Sequence, residues 1–422
     1  MTKAFRRTFL IGAACLALAS HAGSTFAADP VNISLMIWDP AQKAGVEKAV
    51  AAFEAANPDI RVELSQVPED QYYTKLDASL GAGEGPDVMW QSSKAFYYVD
   101  GGALEPLDAY IKQDNISLSG YPENLAKLYR FDGKQYGMPK DADAWTFVYN
   151  ADVFKKLDVD APASDWTFDD MIRIAEKIKA AQTSGSPVPL YYNYTFNNGV
   201  ASLIHALGGA VVSDGKPVVA SSPEGVKALG MVKDLQDRGL ILKVADSADF
   251  NPVSSLISGR LAMAEIPSWN LSLLSKADVP SGTFHVVRLP SIGGSWTTDT
   301  NGLAYVMNAN SAHKDAAWKL IKFLTSDEGA KLHAEGGAGL PANGASEAQA
   351  AFVKANEKLI GLNEALTAAR AQTYLRTSTE YPKTRAGMSK VNSVVMGPFY
   401  AGTMSAADAA KGIDAILAES MK

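Results

Sequence analysis

The chain has 422 residues, a formal charge of −7 at neutral pH and one cysteine. An acidic chain with no basic run is a poor nucleic-acid binder, and this length exceeds what one compact core usually holds, so two domains are expected.

The N-terminus predicts export. Lys3, Arg6 and Arg7 form a positive region, Phe9 to Ala19 an apolar run, and Thr25-Phe26-Ala27 an acceptable cleavage site. The run falls short of the ~20 apolar residues that span a bilayer. Residues 1–27 therefore read as a signal peptide, removed on delivery to the periplasm. Arg6-Arg7-Thr8-Phe9-Leu10 resembles a twin-arginine signal, so that route stands beside ordinary secretion. A lipoprotein anchor would need an aliphatic residue where Gly12 stands. Cys15 leaves with the leader, and with it any disulfide, thiolate metal site or cysteine nucleophile.

Ile33 to Ile37 alternates as a strand does, and Val46, Ala49, Val50 and Phe53 then mark one face of a helix. Asn57-Pro58 ends that helix, and Ile60 to Leu64 resumes the alternation. This is a βαβ unit, which implies parallel strands. Gly81 to Pro86 reads as a plain loop rather than a phosphate cradle, and Asp87 to Trp90 as a short buried strand. After Pro139 a second α/β region begins with a strand at Thr146 to Tyr149. Thr167 and Asp170 then have capping-box spacing, ahead of a helix with Phe168, Met171, Ile172, Ala175 and Ile178 on its apolar face. Helical patterns dominate from about 199 to 275. A strand returns at Leu303 to Met307, and helices at Ala316 to Leu324 and Ala406 to Leu417. No linker separates the two regions, which predicts several crossings that make a hinge rather than a tether.

Catalytic patterns are weak. Beyond the leader, His205, His285, His313 and His333 are widely spaced, with no metal-binding pair. There is no nucleophile elbow and no phosphate-binding loop. Two carboxylates would suffice for a glycosidase, which makes an exported glycoside-acting enzyme the alternative. Aromatic and polar residues instead gather at strand ends, as in Trp38-Asp39 and Trp90-Gln91-Ser92. Open α/β sheets bind ligands beside the carboxyl ends of their strands. Aromatic rings there can stack on sugar faces while amides, carboxylates and guanidinium groups pair the hydroxyls.

In chain order, Ile37-Trp38, Ala52-Phe53-Glu54 with Asn57-Pro58, Gly85-Pro86-Asp87-Val88 and Gly133 to Pro139 are followed by Val148-Tyr149-Asn150. Gly259 to Met263, Pro267-Ser268-Trp269-Asn270 and Ala317-Trp318-Lys319 to Leu324 complete the series. With these pieces the chain resembles the extracellular solute-binding proteins of carbohydrate ABC importers, the maltose-binding-protein-like family. The resemblance implies an α/β, two-lobed periplasmic-binding-protein fold, each lobe a sheet flanked by helices, with a ligand cleft between. It places hinge crossings near Pro139, Asn301-Gly302 and Leu340-Pro341. Residues 28–139 with 303–337 would form one lobe, and 140–302 with 338–422 the other. The implied function is capture of a sugar, oligosaccharide or polyol by a monomer that delivers it to a membrane permease. No enzyme chemistry, cofactor or metal is implied.

The same resemblance supplies site residues. Asp143 stands where similar proteins place an acidic sugar ligand, and Asp141 shares its strand face. Trp269 matches a stacking tryptophan, Asn198 a cleft position and Gln91 a polar contact after its strand. Trp38 would pack beneath the ligand or in the core, and Asp39 would touch ligand or serve the turn before Pro40. Arg376 would reach the ligand, which keeps a charged sugar derivative open, or form a surface ion pair.

Overall fold

The structure, a computed structural model, describes residues 29–422 apart from 182, 184–186, 248 and 345. The expected leader, with Cys15 and the cleavage site, lies outside the described residues.

The strand Val31–Ile37 pairs in parallel with Ile60–Gln66 on one side and Val88–Gln91 on the other. Between the first two runs the helix Pro40–Ala56, capped by Asp39, buries Val46, Ala49, Val50 and Phe53. The sequence has placed this βαβ unit correctly. Two more segments extend the sheet, the first in the opposite sense and the second in the original one. Ala304–Met307 lies antiparallel to Val88–Gln91, and Gly137–Pro139 antiparallel to Ala304–Met307. The chain therefore returns to its first sheet after leaving it. Asp87 ties that return together: its carboxylate accepts from Ser34 N at 2.8 Å and from Ser311 Oγ at 2.6 Å. Gly45 allows the helix Asp327–Ala334 to sit against the first helix, since a Cβ there would lie 2.3 Å from His333 O.

The second sheet runs Phe284–Val287, Trp145–Asn150, Leu261–Pro267, Val188–Tyr191. Trp145, Phe147 and Tyr149 enter one core, while Val148 enters the core on the opposite face. The capping box at Thr167 and Asp170 forms as expected. Ile174, rather than Ile172, is buried on that helix's core face, because residue 174 lies three positions from Met171 and four from Ile178. A larger correction concerns 199–275. Helices do occupy Ala201–Ala206, Pro223–Asp237, Pro252–Ile257 and Leu271–Ser275. Between them, however, Leu261–Pro267 is a strand of the second sheet, buried at every residue. A strand covered on both faces loses its alternation and reads like a piece of buried helix.

Three segments connect the sheets and bond to one another. Lys140 N donates to Leu303 O at 2.8 Å, Ala142 N to Leu340 O at 2.9 Å and Asp143 N to Asn301 O at 2.8 Å. Beside them, Thr298–Thr300 and Thr373–Leu375 form a two-stranded parallel ribbon. Gly302 is a close approach between crossings, because a Cβ on it would lie 2.2 Å from Asp141 O. Gly302→Ala should therefore cost ~1–3 kcal/mol, the scale of an overpacked interior site. Urea unfolding checks this, and an unchanged midpoint would show that the crossings are more yielding than they look.

Candidate functional site

The crossings bring a set of charged and polar groups together. Asp141 is 4% exposed and spent on the crossing itself: Oδ1 accepts from Leu303 N at 2.6 Å, and Lys140 Nζ donates to Oδ2. Lys140 Nζ also donates to Gln42 Oε1 at 2.8 Å and lies 4.0 Å from the Trp90 ring. Asp143, two residues on, keeps some surface open although its carboxyl lies deep among protein atoms. Asn301 Nδ2 donates to Asp143 Oδ2. Burial, then the charge of Asp141, push the Asp143 carboxyl up to about 7, against the pull of Arg376 and Asn301.

Arg376 is tied to the same knot. Its Nε and Nη2 both reach Asp299 Oδ2, and Asp299 is fully buried. Burial alone would lower the guanidinium's pKa, but Asp299 and Asp143 together raise it. The ribbon register sets this arrangement, since Asp299 lies opposite Tyr374, the residue two before Arg376. Tyr374 stacks on His205 with ring centroids 3.8 Å apart, and its hydroxyl lies 3.2 Å from Ser202 Oγ. Burial takes the His205 imidazole down to about 4, so it is neutral at physiological pH. Ser202 Oγ donates to Asn198 O at 2.7 Å, which brings the wide helical turn Phe196–Val200 to this group. Asn198 is half-buried, and its Oδ1 accepts from Asn197 Nδ2 at 3.0 Å.

The aromatic residues divide. Trp269 is half-buried, edge-to-face with Trp145 at 5.5 Å, and part of it stays open to solvent. Trp38 packs inside the first core, against Tyr72 at 4.8 Å and Trp90 at 5.4 Å. Asp39 caps its helix, accepting from Ala41 N at 2.8 Å and Gln42 Nε2 at 2.9 Å. Gln91 is fully buried, and neither amide atom has a hydrogen-bond partner of normal length among the described residues, though Tyr98 lies close enough to feel it. Asp299 Oδ1, Thr300 Oγ1 and Asn301 Oδ1, along one crossing, share that condition. Buried polar atoms without partners are costly, so a run of them marks a place built for something besides stability.

Sequence reasoning placed Asn301 only at a crossing, not in the candidate site, and missed Asp299, Tyr374, Arg385 and Ser93. Arg385 Nη1 donates to Ser93 Oγ, 292 positions away in the chain. Ser92-Ser93-Lys94 directly after Gln91 is a signal that could have been read; nothing near Arg385 distinguishes it from a surface cation. Arg385 and Ser93 thus join segments far apart in the chain. A hollow of about 620 Å³ near Thr167, Ile172, Lys227 and Ile292 contains none of the candidate site residues. Among the described residues no group of three His, Cys, Asp or Glu could hold a metal ion, and no helix is long and apolar enough to cross a membrane.

Glu265, in the strand Leu261–Pro267, is 3% exposed and accepts from Asn193 N at 3.0 Å. Burial pushes its carboxyl up to about 8, against an ordinary 4.5. A folded pKa above the unfolded one means that the native state holds the proton more tightly. Glu265 therefore subtracts stability progressively as pH rises from about 4.5 to about 8. Glu265→Gln keeps the acceptor and removes the charge. At pH 8.5 it should raise the melting temperature by ~2–4 °C, the shift that ~1 kcal/mol produces in a lobe-sized unit, with the gap closing at pH 5. A variant that melts lower at both pH values would contradict this.

Known proteins give the arrangement a context. A Brucella abortus protein named as a binding protein is 28% identical over 340 residues, 77% of this chain and 78% of that protein. The galactooligosaccharide-binding protein of Bacillus subtilis is 24% identical over 307 residues, 71% of this chain and 70% of that one. An ABC substrate-binding protein of Listeria monocytogenes, solved in complex with cycloalternan, superimposes with a TM-score of 0.80 at 22% identity. That superposition covers 93% of this chain and 99% of the other, so the fold is the two-lobed one expected. The sequence pattern of the bacterial extracellular solute-binding proteins matches residues 38–331. This chain belongs to that family.

Proposed function

We propose that this protein is the exported substrate-binding component of an ABC importer, a monomer that captures an oligosaccharide or related polyol between its lobes. It delivers that ligand to a membrane permease and performs no covalent chemistry. The observation that carries the reading is the knot at the crossings. Three bonded segments gather Asp143, Asn301, Asp299 and Arg376 into one polar group, joined through Tyr374 and Ser202 to the turn that holds Asn198. Such groups suit hydroxyls, and the half-buried Trp269 suits a sugar face. The saccharide ligands named for the Bacillus and Listeria relatives support the same class.

Within this reading the lobes are 28–139 with 303–337, and 140–302 with 338–422, after removal of the leader in the periplasm. Trp269 stacks on the ligand, while Asp143, Gln91 and Asn198 offer hydrogen bonds. Arg376 positions Asp143 and Asp299 through charge. Trp38 supports the platform from below, Asp39 holds its helix start, and Asp141 serves the hinge. A glycosidase would need an acid within reach of substrate. Asp143, pushed up to about 7 and half-open, could be that acid, but the second carboxylate a glycosidase needs is not free beside it: Asp141 is engaged by Leu303 N and Lys140 and Asp299 by Arg376, which favours binding over turnover.

A thermal-shift screen against neutral and acidic saccharides and polyols tests the class, because a ligand that binds only the native state raises its stability. Trp269→Ala should weaken the best ligand by ~1–3 kcal/mol, the scale of a lost aromatic contact, with little change in the unliganded melting temperature. A large fall in that temperature would instead make Trp269 a core residue. No stabilisation by any saccharide would overturn the proposed ligand class.

A further inference from the structure

Arg385 presents a problem of charge. It starts in the helix Thr384–Val391 of the second lobe and reaches Ser93 at the end of a first-lobe strand. Its strongest neighbours are Tyr73, Arg376, Tyr97 and Tyr129, and it forms no ion pair among the described residues. Burial, with Arg376 adding to it, holds its guanidinium below the usual range. Lys94 follows Ser93 directly. Its Nζ lies 3.6 Å from the centre of the Tyr73 ring, and Tyr73 OH is 2.8 Å from Ser92 Oγ. Lys94 likewise has no ion pair among the described residues; Asp77 and Glu69 attract it from further off, while burial and then Arg385 lower its pKa. Asp77 already accepts the Tyr98 hydroxyl at 2.5 Å.

Lys94, Arg385 and Arg376 therefore form a row of cations between the lobes, of which only Arg376 has a carboxylate. Lys94 belongs to one lobe and Arg385 to the other, so closure brings two like charges together while removing them from water. A neutral ligand leaves that repulsion in place. A carboxylate between them would relieve it and would accept the planar fork of donors a guanidinium offers. Ser93 Oγ stands beside the same place as a further donor.

We propose that the ligand is an acidic saccharide, one with a uronic-acid unit, whose carboxylate seats between Arg385 and Lys94 and bridges the lobes. This rests on the saccharide-binding reading and narrows it. The charge of the whole chain is −7, so long-range attraction does not supply the preference; contact at this pair does. Arg376 has no part in anion capture, because Asp299 already holds it.

The test is calorimetry on the mature protein at low salt, with matched pairs of probes. Oligogalacturonates are set against neutral galacto-oligosaccharides of the same length, and oligomannuronates against manno-oligosaccharides. In at least one pair the acidic member should bind tenfold or more tightly than its neutral twin, and the ratio should shrink as salt is added. Arg385→Gln and, separately, Lys94→Gln should each cut the acid-to-neutral ratio severalfold, with Arg385→Lys retaining part of it. Two variants on different lobes guard against a folding defect in either. Tighter binding of the neutral twin in every pair that binds, or a ratio that neither variant changes, would overturn the acidic ligand and leave the saccharide reading standing. No binding by either kind of probe would count against both.

Discussion

The buried pair of Arg376 and Asp299 is the contact on which the interlobe face depends. Asp299 is fully enclosed, with one oxygen engaged by Arg376 and the other without a partner among the described residues. Removing one member of a buried pair leaves an uncompensated charge, typically a loss of ~3–5 kcal/mol. Replacing both with apolar residues can be neutral, so stability alone does not explain the pair. What it does explain is position. It fixes the end of the ribbon Thr298–Thr300 and Thr373–Leu375 against Asp143, and so decides where the other polar groups point.

The crossings translate that fixed centre into motion. Three segments, each bonded to a neighbour through main-chain groups, join two sheets with separate cores. Such a strap can bend at a few dihedrals while the cores stay rigid, which is the structural basis of hinge closure. A ligand that touches both lobes favours the closed form by the difference between its affinities for the two states. On the proposed lobe division, the hydrogen bond from Arg385 to Ser93 runs between the lobes. The cations gathered at that contact oppose closure, and relief of their repulsion is how a ligand's charge would be sensed.

Local signals made much of the fold legible. Alternation marks Val31–Ile37 and Ile60–Gln66, Asn57-Pro58 ends the first helix, and Thr167 with Asp170 announces another. Leu261–Pro267 was not legible, because burial on both faces removes the period that identifies a strand. The candidate site was legible only in part, for a related reason. Trp269, Asp143 and Arg376 stand in recognisable segments, whereas Asp299 acquires its role from a pairing 77 residues away in sequence. Arg385 acquires its role from a contact 292 residues away, and no local pattern reports that. Asp39 and Asp141 show the opposite case: polar residues in the right neighbourhood whose side chains are spent on a cap and a crossing.

The central claim is that binding and closure are one event. Small-angle X-ray scattering of the mature protein, first alone and then saturated with its best saccharide, measures this directly. The radius of gyration should fall on saturation. A saccharide that binds tightly and leaves the radius unchanged would contradict it.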